Sequence, residues 1–114
     1  MARVNNTKGR IKIFENLPLP NEVEADTEHC INMWRGVLDQ ALTDIVYPSP
    51  SKLAKQIRRE AIYFLNETDS WEAENFVCLC ALALVDPDFV RDTMYEYLRE
   101  QFGNDPFTFI QREQ

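Results

Sequence analysis

Apolar residues recur along this chain at spacings of three and four, the period of an α-helix with one buried face. The first such stripe begins near Thr27 and ends at residues 47–51, a segment whose two prolines stop a helix. Its apolar residues are Ile31, Trp34, Leu38, Ala41, Leu42 and Ile45. We expect Asp26 or Thr27 to cap this helix and Gly36 to mark the close approach of another element.

Two further segments show helical patterns. The second stripe occupies residues 52–66, and either Ser49 or Ser51 is the expected start of its helix. Its apolar residues are Leu53, Ile57, Ala61, Phe64 and Leu65. Residues 71–84 are apolar over most of the helix circumference. This pattern predicts a third helix at the centre of the domain.

Start and stop signals bracket the last two helices. Asp69 and Glu72 have the spacing of a capping box before the third helix. Asp86 is the expected cap of the fourth helix, with Pro87 at its first helical position, where a missing amide proton costs nothing. Gly103 is the expected end of that helix.

These elements predict an all-α fold, a four-helix domain with extended termini. We divide the chain into an N-terminal arm and linker (1–26), a helical domain (27–103) and a C-terminal tail (104–114). Short alternations at residues 11–14 and 107–110 are too brief to build a sheet alone. We expect extended segments packed on helices there, with strand pairing to each other or to a second subunit as the alternative.

Composition excludes several classes of protein. The chain has 114 residues, 45% of them hydrophobic and 27% charged, as in a soluble globular domain. No apolar run approaches the ~20 residues of a membrane span, and the N-terminus lacks a signal-peptide core, so we expect a cytoplasmic protein. Cys78 and Cys80 are two apart in an apolar run, which favours buried, reduced thiols over a metal or disulfide site.

The net charge of −7 is unevenly distributed. Positive side chains form two clusters, one in the arm (Arg3, Lys8, Arg10, Lys12) and one in the second helix (Lys52, Lys55, Arg58, Arg59). The fourth helix instead carries five carboxylates against two arginines. Because charge acts within about 8 Å at physiological salt, these local clusters matter more than the total.

The third and fourth helices have the spacing of a helix-turn-helix. In that motif Cys80 would be the small residue of the first helix, Leu84 would lie at the turn, and Val85 with Val90 would lock the second helix. Leucine resists the left-handed backbone conformation that the turn requires. The five carboxylates would also repel the phosphates of a DNA groove. An ordinary αα-hairpin with a solvated acidic face is therefore the alternative.

Catalysis has little support in the sequence. His29 has no second histidine with which to share a metal, and with only three glycines there is no phosphate-binding loop. We expect Asp39 and Asp44 to face solvent. We therefore predict a protein that is not an enzyme and needs no cofactor or metal.

Four segments resemble small phage and prophage proteins of bacteria that have a helix-turn-helix-like core. They read WRGVLDQALTD (34–44), AIYFL (61–65), FVC (76–78) and LVDPDFVR (84–91). The resemblance spans residues 34–91, and the relatives carry glycine where Leu84 stands. It implies a phage context and an intracellular regulatory role, and it supplies no catalytic or base-contacting residue.

Two functions remain open. In the leading hypothesis the chain is a DNA-associated regulator that binds through the two basic clusters, because basic arms and helices contact phosphates. In the alternative it is a protein-binding module, an inhibitor or nucleic-acid-mimicking decoy. That module would use Asp88, Asp92 and Glu96, which share one helix face, and an exposed Tyr95. A homodimer is compatible with both, with residues 11–14 and 107–110 as contacts.

Overall fold

The computed structural model describes residues 10–20 and 22–103, and this part of the chain is all-α, as predicted, with no β-strand. Its elements are a single 3-10 turn (Phe14–Asn16) and four α-helices: α1 (Ala25–Val46), α2 (Lys52–Leu65), α3 (Trp71–Leu82) and α4 (Pro87–Phe102). Residues 107–110, for which strand pairing was the alternative, lie outside the described residues. No described helix is long and apolar enough to cross a membrane.

Side chains cap three of the four helices. Ser51 accepts a hydrogen bond from the Ala54 amide at 3.1 Å, and Asp86 accepts one from the Phe89 amide at 3.2 Å, as the sequence predicted. Ser70 caps α3. At α1 the prediction was wrong, because the helix begins at Ala25 with no side-chain cap.

The capping box predicted for α3 does not form. Ser70 Oγ accepts from the Ala73 amide at 3.2 Å, so Ser70 rather than Asp69 is the cap. This places Glu72 one position too early to complete a box, and its carboxylate instead pairs with Arg59 of α2 at 3.4 Å. The residue predicted for capping therefore joins two helices.

Both α2 and α3 end in a Schellman motif, in which a residue in the left-handed conformation reverses the chain. At the end of α3 that residue is Leu84, with φ of 54°. The Val85 amide donates to the Cys80 carbonyl and the Leu84 amide to the Ala81 carbonyl, each at 3.0 Å. The turn between α3 and α4 thus adopts the required backbone conformation despite its leucine, at a cost of about 1–2 kcal/mol.

The core lies between the four helices and includes part of the arm. Its largest fully buried side chains are Phe14, Phe64, Phe76, Leu38, Leu42, Ile45, Ile62, Leu65, Met94, Leu98 and Val90. The Phe14 ring meets Phe89 of α4 edge to face, with centroids 6.5 Å apart, and Ile11 is also buried. Because both residues are enclosed by their own chain, Ile11 and Phe14 are not available as contacts of a homodimer.

Helix α3 is less enclosed than its composition predicted. One side packs against α1 and α2 through buried residues such as Phe76 and Cys80. The opposite side is open among the described residues, with Leu82 49% and Trp71 59% exposed. The prediction for the two thiols was therefore half wrong: Cys80 is buried, but Cys78 is exposed.

Candidate functional site: a basic groove held by a polar scaffold

The carboxylate of Asp39 organises the N-terminal arm. Its Oδ1 accepts hydrogen bonds from the Ile13 and Phe14 amides at 2.9 and 3.0 Å, and its Oδ2 accepts from the Glu15 amide at 3.0 Å. Asp39 is fully buried, so the prediction that it faces solvent was wrong. Burial raises the pKa of this carboxyl group, and the three amides partly offset that increase. Asp39 thus binds three consecutive amides of the arm.

Arg35 lies one turn earlier on α1 and is also buried. Its Nε donates to the Ala83 carbonyl at 2.9 Å, and its Nη1 donates to the Leu17 carbonyl at 2.9 Å. Burial lowers the pKa of the guanidinium. The positive charge lies against the carbonyl end of α3, where the helix dipole favours a cation. One side chain therefore joins α1, the arm and the turn between α3 and α4.

Thr43 completes this row. Its Oγ1 accepts from the Ile11 amide at 3.1 Å and donates to the Asp39 carbonyl at 2.8 Å. Arg35, Asp39 and Thr43 are four residues apart and so share one face of α1. This spacing is visible in the sequence, but it does not by itself indicate burial, because polar helix faces usually point to water. The arm lies against Gly36, as predicted for another element, but the contact is an ordinary one: a Cβ at this position would be 3.5 Å from Arg10 and from Glu15.

Side chains of helix α4 form hydrogen bonds with the C-terminal end of α2. Arg91 Nε donates to the Phe64 carbonyl at 3.3 Å, and its guanidinium lies 4.4 Å from the centre of the Phe64 ring. Tyr95 donates its hydroxyl proton to the Leu65 carbonyl. The expectation that Tyr95 is exposed was wrong, since the ring is half-buried and its hydroxyl group caps a helix end. This contact satisfies a carbonyl that the helix itself leaves unpaired.

The basic cluster of α2 forms one concave surface, which we call the basic groove. It has a volume of about 610 Å³, and its lining contains four cationic side chains and no carboxylate. These are the four residues that the sequence predicted: Lys52, Lys55, Arg58 and Arg59. Ser49, Gln56 and Tyr63 add hydrogen-bonding groups. The groove can therefore present several cationic and hydrogen-bonding groups to one anion.

The cations of the groove differ in whether they contact other side chains. Lys52 and Lys55 are exposed on the first turn of α2. Arg59 is held more firmly, because it pairs with Glu72 and its guanidinium lies 5.4 Å from the Tyr63 ring centre. The two lysines are thus the most adaptable contacts, whereas Arg59 has two side-chain partners although 60% of its side chain is exposed.

The basic arm does not contribute to this groove within the described residues. Arg10 pairs with Glu15 at 2.8 Å and lies against Gly36, and Lys12 is exposed elsewhere on the surface. Arg3 and Lys8 lie outside the described residues. Among the described residues, the two basic clusters are therefore separate, because the cluster on α2 lines the groove and Arg10 and Lys12 do not.

The exposed face of α4 is acidic. Asp88 is paired with Arg91 at 3.0 Å but remains largely in solvent, and Asp92 and Glu96 are exposed one and two turns later. A shallow depression beside them includes Phe89, whose side chain is 44% exposed. The helix that would enter a DNA groove in a helix-turn-helix thus presents negative charge.

Among the described residues, no three His, Cys, Asp or Glu side chains come together as ligands for a metal ion. Comparisons of the chain with protein-family models, with curated proteins and with solved structures found no match. The site therefore has to be interpreted from its own chemistry. That chemistry is a cationic groove on α2, an acidic face on α4, and a buried polar row that fixes the helices and the arm around them.

Proposed function

We propose that this protein binds the phosphate backbone of nucleic acid, DNA in the first instance, through the basic groove. The observation that carries the proposal is the convergence of Lys52, Lys55, Arg58 and Arg59 on one concave surface, on which both lysines are exposed. Lysine and arginine are the principal phosphate-binding side chains, and such contacts act without reading base sequence. The role is non-catalytic, and a regulatory protein of phage type is the context that the sequence resemblance suggests.

The charge of the molecule supports this assignment to α2 rather than to α4. Although the net charge is −7, screening limits each charge to about 8 Å, so the groove acts on a phosphate nearby. The acidic face of α4 would repel a duplex that entered along the usual recognition helix. Contacts by the arm, through Arg3, Lys8 and Lys12, are a further part of the proposal.

A salt titration on random-sequence duplex DNA tests the proposal. Four phosphate contacts predict a slope of about −3 to −4 for the logarithm of affinity against the logarithm of salt concentration. Lys52→Ala with Lys55→Ala should reduce the magnitude of that slope by about 2. Arg99→Ala is the control, because it removes an exposed cation outside both the groove and the arm and should leave the slope unchanged. Absence of binding at about 10 μM protein and 50 mM salt would refute the proposal.

The exposed carboxylates of α4 support a second candidate, a protein-binding module whose partner is basic. Asp88, Asp92 and Glu96 form a row beside the partly exposed Phe89, and such a surface complements a positively charged partner. Replacing the three carboxylates by lysine should abolish capture of that partner while the fold is retained. The control reverses three exposed carboxylates elsewhere: Glu22, Glu24 and Asp26. Equal loss in both variants would argue against a specific acidic site.

A further inference from the structure

A second concave surface lies where α1, α2 and α3 meet, and we call it the apolar cleft. Its volume is about 460 Å³, within the usual range for small-molecule sites. Most of its lining is apolar and includes Trp34, Val37, Leu53, Ile57 and Leu79. Leu53 is 72% exposed although it belongs to this surface. None of the four cations of the basic groove lines the cleft.

Asp44 is the ionisable residue in the lining of this cleft. The expectation that it faces solvent was wrong, because only 3% of its surface is exposed. Its Oδ1 accepts a hydrogen bond from Gln40 Nε2 at 3.0 Å. Its Oδ2 is buried and has no hydrogen-bond partner among the described residues. Buried polar atoms are nearly always bonded, so this oxygen is an acceptor for which the described fold supplies no donor.

The electrostatic surroundings of Asp44 favour an added positive charge. Burial raises the pKa of this carboxyl group, and this effect outweighs the opposing contributions of Gln40 and of the Arg58 charge. The carboxylate is therefore incompletely compensated by the groups around it. An ammonium group supplies the hydrogen-bond donor that Oδ2 lacks and adds its positive charge to that of Arg58, in one charge-assisted contact.

We propose that the apolar cleft binds a primary amine with an apolar body, its ammonium group donating a hydrogen bond to Asp44 and its ring or alkyl chain lying against Trp34 and Ile57. The match is one of chemistry: a mostly apolar surface with one buried acceptor fits a mostly apolar molecule with one cationic donor. The proposal does not depend on nucleic-acid binding, because no cation of the basic groove lines the cleft.

Titration with phenethylamine, followed by NMR at the two indole N–H signals, tests the proposal. Trp34 lines the cleft, whereas Trp71 does not and serves as the internal reference. The Trp34 signal should shift in a saturable manner and the Trp71 signal should not. The neutral isostere 2-phenylethanol should bind about tenfold more weakly, because it lacks the charge. Equal affinity for the amine and the alcohol, or no shift at Trp34 up to 10 millimolar as a rough ceiling, would overturn the proposal.

Asp44→Asn tests the contribution of the negative charge, because it removes the charge with little change in the shape of the cleft. Asparagine retains an oxygen for Gln40 but lacks the negative charge, so phenethylamine affinity should fall about tenfold while 2-phenylethanol affinity is unchanged. Asp26→Asn, which removes an exposed carboxylate of the same helix, is the matched control and should bind as the wild type does. If Asp44→Asn does not fold, the wild type still provides a test, because bound phenethylamine should lower the apparent pKa of Asp44. Unchanged titration of Asp44 in the presence of the amine would contradict the contact.

Discussion

The attachment of the arm by Asp39 is the structural feature most open to a decisive test. Asp39→Ala removes the acceptor of three amide hydrogen bonds, from Ile13, Phe14 and Glu15. Two consequences follow. Three N–H groups lose their partner, and the arm loses the interaction that holds its 3-10 turn against α1.

The magnitude can be worked from the same contacts. Burial of Ile11 and Phe14 contributes about 3–6 kcal/mol. Fixing the backbone of residues 11–15 costs about 5–10 kcal/mol, so burial alone does not dock the arm. Three hydrogen bonds to a charged acceptor, at about 1.5–3 kcal/mol each, provide the difference. The net docking free energy from these contacts is then about 2–5 kcal/mol, and Asp39→Ala is expected to lose most of it, since only the bonds of Ile11 to Thr43 and of Leu17 to Arg35 remain.

Chemical denaturation measures that loss, and amide hydrogen exchange locates it. In the variant, the amides of Ile13, Phe14 and Glu15 should exchange much faster, whereas amides in the middle of α2 should change only with global stability. Asp26→Ala is the control, because this exposed carboxylate of α1 accepts no such bonds and should cost less than about 1 kcal/mol. A loss below about 1 kcal/mol with unchanged exchange at the three amides would refute the role assigned to Asp39.

Three further predictions concern the turn and the core. Leu84→Gly should raise the free energy of unfolding by about 0.5–1 kcal/mol, since glycine adopts the φ of 54° without strain and Leu84 is already 51% exposed. A decrease of more than about 1 kcal/mol, measured by chemical denaturation, would contradict this. Arg35→Lys should lower the free energy of unfolding by more than about 1 kcal/mol, because one ammonium group cannot reach carbonyls of both the arm and the turn. An unchanged denaturation midpoint would contradict this. Stability should also fall from about pH 9 towards pH 12. Burial raises the pKa of Cys80 from 9.0, and that of Tyr95 from 10.0, to about 12, so the native state holds protons that the unfolded state releases. Cys80→Ala should remove the part of this decrease that begins near pH 9, and a pH profile identical to that of the wild type would contradict the assignment.

The four helices were predictable because each carries an apolar stripe and clear boundary signals. Ser51, Asp86 and Gly103 mark starts and stops at the positions found in the structure. The cap of α1 was not predictable from its polar residues. The helix extends two residues further towards the N-terminus, which places Asp26 inside the first turn, where its charge still favours the helix dipole.

The burial of individual side chains was harder to predict. Periodicity assigns polar residues to water, but α1 is covered on two sides, by the other helices and by the arm. Asp39 is therefore buried because the arm packs over it and donates three amide hydrogen bonds to it. The local sequence pattern of α1 does not indicate this contact. Conversely, the apolar residues of α3 were assigned to the interior although one side of that helix, including Leu82, is uncovered.

The basic groove was predictable in its members but not in its shape. Lys52, Lys55 and Arg59 follow helical spacing, which indicates a common face. The concavity depends on residues 48 and 49, which precede α2, and on Tyr63, which lies two turns further along it than Gln56. Likewise, nothing in the sequence shows that Asp44 lines a cleft.

The contacts of Arg35 have a consequence for cooperativity. This guanidinium binds carbonyls at Leu17 and Ala83, which are 66 positions apart in the chain. If either segment leaves, water reaches the guanidinium and its remaining bond to the other segment weakens, so we expect the arm and the turn between α3 and α4 to be thermodynamically coupled. A double-mutant cycle between the two segments should therefore be non-additive, although their side chains need not touch. The N-terminal arm, which composition alone would describe as a peripheral extension, is therefore expected to stabilise the turn between α3 and α4 through Arg35.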